Sequence, residues 1–139
     1  MNCYLIESGP ADDDTPYCVR ALAWLVAKPE QFKMMYIPTL QQLEGTYFAS
    51  ALGSKLSHES KNLGLVKYAK QDIHIVTNDT IDAVEDPVRL FAYCCDDVSL
   101  KKMEDKLNIK DILVFPWVPD YDVKEWKEKY KPQRIELDC

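Results

Sequence analysis

Residues 88–130, VRLFAYCCDDVSLKKMEDKLNIKDILVFPWVPDYDVKEWKEKY, contain the same unit twice. Val88 to Cys94 is a short apolar run, and after an acidic loop Leu100, Met103 and Leu107 recur at helical spacing among lysines and acids. Ile112 to Trp117 is a second apolar run; after Val118 to Asp122, the stripe Val123, Trp126 and Tyr130 repeats the pattern. A short run without polar alternation reads as a strand buried on both faces, and a helix with one narrow apolar stripe is the element that covers it. The repeated unit predicts parallel strands with helices packed against them.

Working back toward the start of the chain, Ile73 to Thr77 is rich in β-branched residues and is closed by Asn78, Asp79 and Thr80, which reads as another strand. Phe32 to Ile37 and Cys3 to Glu7 complete the strand candidates. Between them Thr15 can cap a helix whose first position is Pro16, and Tyr17 to Ala27 is apolar almost all round, with Arg20 its one charge. Thr39 to Gln42 has the form of a capping box for a helix from Leu40 to about Leu52, ended by Gly53. Residues 56–70 allow two readings. Glu59 to Lys70 can form a helix capped by Ser57, or Gly64 to Ala69 can pair with the following strand as an antiparallel hairpin. Ile81 to Pro87 reads as a connector, and Arg134 to Leu137 as a short final strand. The sum is an α/β fold: a three-layer sandwich with a mainly parallel, Rossmann-like sheet of about five strands and helices on both faces.

A chain of 139 residues without a Pro- or Gly-rich linker is expected to form one domain, large enough to bury about two thirds of its unfolded surface. The apolar fraction of 47% and charged fraction of 29% exclude disordered and fibrous classes. No apolar run approaches the roughly 20 residues of a membrane span, and the start of the chain lacks a secretory pattern, so a soluble, cytoplasmic protein is expected. Five cysteines with neither zinc-ribbon nor C-x-x-C spacing fit reduced thiols. The net charge of −6 argues against nucleic acid as a partner, and the locally basic stretch Lys55 to Lys70 reads as a solvated surface.

In an open parallel sheet, ligands bind beyond the carboxyl ends of the strands. That rule selects Ser8, Thr39, Asn78, Asp79, Thr80, Asp96, Asp97 and Trp117 as candidate ligand-binding residues. Carboxylates gathered from different loops suit Mg²⁺, a hard cation that takes oxygen ligands, and Asp79 with Asp96 is the candidate metal pair. The same residue types favour turns and helix caps, because their side chains bond nearby backbone amides. The four glycines form neither a dinucleotide fingerprint nor a P-loop. Of the two histidines, His74 lies inside a strand and His58 in a polar run, neither placed by sequence beside a thiol. Two functions remain as expectations. One is a binding or interaction module without its own catalysis, taking a small molecule or a protein, a second copy of the chain included. The other is a Mg²⁺-dependent hydrolase or phosphotransfer enzyme acting on a phosphorylated small molecule or a nucleic-acid end.

Overall fold

A computed structural model describes residues 2–6, 15–28, 30–37, 65–68, 70–77, 84–93, 95–116 and 123–135. Its elements are β1 (Asn2–Leu5), α1 (Thr15–Val26), β2 (Phe32–Tyr36), β3 (Leu65–Tyr68), β4 (Gln71–Val76), β5 (Val84–Tyr93), α2 (Asp97–Lys106), β6 (Leu107–Phe115), α3 (Lys124–Tyr130) and β7 (Gln133–Arg134). The strands form one sheet of seven in the order β3-β4-β2-β5-β6-β1-β7. Every neighbouring pair from β4 to β7 is parallel, and β3 alone runs antiparallel, against β4.

The two apolar runs that open the sequence argument form the centre of this sheet. Val88 to Tyr93 of β5 and Asp111 to Phe115 of β6 are buried on both faces and pair in register from Arg89↔Asp111 to Tyr93↔Phe115. Side chains alternate across a strand, so each strand feeds two separate cores. Met35, Phe91, Tyr93, Leu113 and Phe115 pack with Cys18, Ala21, Leu22 and Leu25 of α1. Met34, Tyr36, Leu90, Ala92, Ile112 and Val114 pack with Leu100 and Met103 of α2 and Trp126 of α3.

Handedness accounts for this division. The β1-α1-β2 crossover moves along the sheet in one direction; β5-α2-β6 and β6-α3-β7 move in the other. Parallel crossovers are right-handed because twisted strands feed right-handed helices back onto the sheet in that sense only, so opposite directions require opposite faces.

Several expectations are corrected. Among the described residues the sheet has seven strands rather than about five, because both ends of the order carry short ones, β3 and β7. Residues 65–68 are not helical: they pair with β4 from Leu65↔His74 to Tyr68↔Gln71, and the turn puts Lys70 at φ 63, in the left-handed region. Ladder hydrogen bonds to a neighbouring strand outweigh the local helix preference there. Of the expected connector Ile81 to Pro87, the described part from Val84 belongs to β5, whose register shifts between Val84 and Arg89, the kind of irregularity at which a strand tolerates proline. β6 begins at Leu107, not Ile112, directly where α2 ends. The last strand is Gln133–Arg134 rather than Arg134 to Leu137. The expected helix from Leu40 to Leu52 lies outside the described residues.

One rung of the α1-facing side is polar. Register places Lys33 beside Arg89, Arg89 beside Asp111, and Asp111 beside Asn2. Arg89 and Asp111 are each only 5% exposed. Arg89 Nη1 donates to Asp111 Oδ2 at 3.1 Å, and Asn2 Nδ2 donates to Asp111 Oδ1 at 2.8 Å. Arg89 Nε and Nη2 both donate to the Trp24 carbonyl, at 3.0 and 2.7 Å, with the guanidinium 3.7 Å from the Trp24 ring centroid. That carbonyl belongs to the last turn of α1, where backbone acceptors lack helical partners and the dipole favours a cation. α1 carries no basic residue in its own last turn, so the sheet supplies one. Burial pushes the Arg89 guanidinium below its ordinary value, while the charge and hydrogen bond of Asp111 pull it back.

Removing one partner of such a pair strands the other charge. Asp111→Ala is expected to lower unfolding stability by about 3–5 kcal/mol in urea titration, and the double replacement Arg89→Met with Asp111→Leu by about half the sum of the single losses or less.

Candidate functional site

With β4, β2, β5, β6, β1 and β7 all parallel, their carboxyl ends share one rim. β2 is followed in the sheet by β4 on one side, whereas β5 is followed by β6 on the other. The chain order thus diverges between β2 and β5, the kind of switch point beside which open α/β sheets form a crevice. Asp96 and Asp97 follow β5 at that point. Of the expected site residues these two are described; Ser8, Thr39, Asn78, Asp79, Thr80 and Trp117 lie outside the described residues.

Both carboxylates are engaged with helix starts. Asp96 has extended backbone (φ −127, ψ 177) and its Oδ1 accepts from the Ser99 amide at 2.8 Å, the geometry of an N-cap on α2. Asp97 reaches across to α3, accepting from the Trp126 amide at 2.9 Å on Oδ1 and from the Glu125 amide at 3.1 Å on Oδ2. α3 needs this, because Val123 at its own cap position supplies no side-chain bond. One carboxylate thereby lies at the positive ends of two helix dipoles. Tyr36, at the end of β2, donates through its hydroxyl to Ser99 Oγ at 3.0 Å and fastens α2 to the neighbouring strand. Among the described residues, no group of three or more His, Cys, Asp or Glu side chains is arranged to hold a metal ion.

Below this rim, α2 and α3 meet along a seam of about 170 Å³ lined by Leu100, Glu104, Trp126, Lys129 and Tyr130 among others. Burial pushes the Tyr130 phenol up; a hydrogen bond from Lys129 opposes that shift and Glu104 reinforces it. Of the stripe Val123, Trp126 and Tyr130, the first two are buried, and Tyr130 is half-buried beside Trp126, ring centroids 6.0 Å apart. Burial also raises the Cys3 thiol, the opposite of what a thiolate nucleophile requires. His74 is exposed on the sheet face and stacks on Phe32 at 4.6 Å.

Sequence reasoning passed over a second recess, at the opposite end of the strands. It opens between α1 and the β6-β1-β7 part of the sheet, has a volume of about 560 Å³, and is lined by Tyr4, Arg20, Trp24, Lys28, Arg89 and Lys110 among others. A signal for it existed: Arg89 is a lone charge inside an apolar run, and Asp111 directly precedes another, so both had to be buried and partnered.

No known protein family, curated protein or solved structure is matched by this chain. Among the described residues, no helix is long and apolar enough to cross a membrane.

The caps yield a direct test. Asp96→Ala and Asp97→Ala are each expected to cost about 1 kcal/mol of stability in chemical denaturation, by losing caps on different helices. Neither loss should depend on added divalent metal.

Proposed function

We propose that this chain is a small binding or interaction module without catalysis of its own, built on a three-layer, Rossmann-like sandwich and working in the cytoplasm. Its ligand, a small molecule or a protein surface, is taken at the carboxyl rim beside β2 and β5, where Asp96 and Asp97 follow β5; Ser8, Thr39, Asn78, Asp79, Thr80 and Trp117, which follow β1, β2, β4 and β6 in the sequence, are the further candidates. A second copy of the chain is one such protein partner. The observation that carries this reading is the strand order: β2 and β5 are parallel neighbours, and the chain leaves β2 for β3 on the far side of β2 and leaves β5 for β6 on the far side of β5, so the two exits diverge. The engagement of Asp96 and Asp97 as caps supports a recognition role, since capped carboxylates are fixed in place and hold the surrounding amides in a set geometry.

A second reading has one specific observation in its favour. Asp96 uses Oδ1 for its cap and makes no hydrogen bond through Oδ2 among the described residues, leaving one oxygen for a divalent cation. With Asp79 as the other ligand, Mg²⁺ would support hydrolysis or phosphotransfer on a phosphorylated small molecule or nucleic-acid end, by bridging phosphate oxygens.

Melting in Mg²⁺, in Mn²⁺ and in EDTA separates the two. The binding module predicts one midpoint in all three, and amide-resonance shifts on titration with a small-molecule set that cluster at Ile37, Thr77, Asp96 and Asp97. A midpoint that rises with metal, and no longer does so in Asp79→Asn, would establish the enzyme instead.

A further inference from the structure

The recess at the amino-terminal rim has a different chemistry from the carboxyl rim. Its wall is one ridge of α1. Arg20 and Trp24 are four residues apart and so stack on one helix face, and Lys28 continues the line just past the helix end. Its floor follows from register: Asn2 and Asp111 form one rung, Tyr4 and Gln133 the next, with Ile135 beyond. Lys110, exposed on β6, also lines it.

The charges on this lining are unbalanced. Arg20, Lys28, Arg89 and Lys110 face a single carboxylate, Asp111, in a chain whose net charge is −6. Arg89 and Asp111 neutralise each other, and Arg89 is further occupied by the Trp24 carbonyl. That leaves Arg20, Lys28 and Lys110, none of which forms an ion pair among the described residues. Two other acids, Glu30 and Asp86, line an adjoining recess of about 590 Å³ together with Lys110. Arg20 is half-buried, and its Nε is buried without a hydrogen-bond partner among the described residues. A buried guanidinium donor left unpaired is unfavourable, so it marks a place where an acceptor belongs. Three cations held along a concave, partly apolar surface raise the local concentration of anions even when the whole protein repels them.

Arg20 and Lys28 are separated by about two helical turns, on the order of 12 Å along the chain axis. Their side chains can converge on one ligand only if its negative charge is spread out, and a cavity of about 560 Å³ lies in the size range of small-molecule sites. Tyr4 and Ile135, both half-buried on the floor, offer an apolar contact for the body of such a molecule. The geometry points to a binding site for a small multivalent oxyanion, bearing several phosphate or carboxylate groups, held by Arg20, Lys28 and Lys110 against the Tyr4 floor. Arg89 touches no ligand in this arrangement; it is a positioning residue that fixes the α1 ridge relative to the sheet. The site is independent of the carboxyl rim, which lies at the other end of the strands.

Calorimetric titration of the whole chain with inorganic tripolyphosphate and, separately, with citrate tests this and distinguishes the phosphate source from the carboxylate source. At least one of the two is expected to bind at one site per chain, with amide shifts at Tyr4, Arg20, Trp24 and Lys110. Lys28→Glu and Lys110→Glu, both at exposed positions, should each weaken it by roughly tenfold, and Arg20→Gln by a similar factor, with the melting midpoint retained. Lys101→Glu, on α2 across the sheet, should leave the affinity within about twofold. Absence of binding by both anions, or equal weakening by Lys101→Glu, would overturn the site; shifts confined to the carboxyl rim would overturn it while leaving the binding module intact.

Discussion

The structure depends on where a buried guanidinium finds its partners. Arg89 sits in the central strand of the sheet with almost no access to water, and a charge in that position is tolerated only when every donor that can be satisfied is satisfied. Asp111 from the next strand, the Trp24 carbonyl from α1 and the Trp24 ring surround it. Because Asn2 holds the second oxygen of Asp111, the arrangement joins β1, β5, β6 and α1 at one point. It also fixes where α1 ends above the sheet, with the Trp24 ring against Tyr4 of β1, centroids 5.8 Å apart.

The two ends of the strands are consequently unlike. At the amino-terminal end the α1-facing side carries the polar rung of Lys33, Arg89, Asp111 and Asn2, while the next rung, Met35, Phe91, Leu113 and Tyr4, is apolar or aromatic. Lys33 lies beside Arg89 and is buried, with its ammonium donating to the Gln31 carbonyl at 3.0 Å rather than facing the guanidinium alone. At the carboxyl end, polar side chains are spent on helix starts: Asp96 for α2, Asp97 for α3, and Tyr36 to Ser99 between sheet and helix. Charge at one end braces the core; at the other it organises the loops.

Much of this architecture was legible in local pattern. Val88 to Tyr93 and Ile112 to Phe115 lack polar alternation because both of their faces are covered, and the stripes Leu100 with Met103 and Val123 with Trp126 mark the covering helices. The start of β6 was hidden because Asn108, Lys110 and Asp111 interrupt the apolar run, and only pairing with β5 makes them strand residues. The hairpin of β3 and β4 was one of two local solutions, decided by hydrogen bonds that no window of residues contains. Asp96 and Asp97 were singled out as candidates from their place after a strand, yet the helix that Asp97 caps lies nearly thirty residues further on and left no local trace.

The sequence by itself determined which segments are strands buried on two faces, which helices cover them, and that the sheet is mainly parallel, because these follow from the spacing of apolar residues and from crossover lengths. Only the tertiary structure decided the order β3-β4-β2-β5-β6-β1-β7 and the rung that brings Asn2, Lys33, Arg89 and Asp111 side by side. Periodicity reports which face of a segment leaves water; it carries no information about which distant segment meets that face. That choice is made by the mutual burial of charges and side chains that come together only when the whole chain has closed.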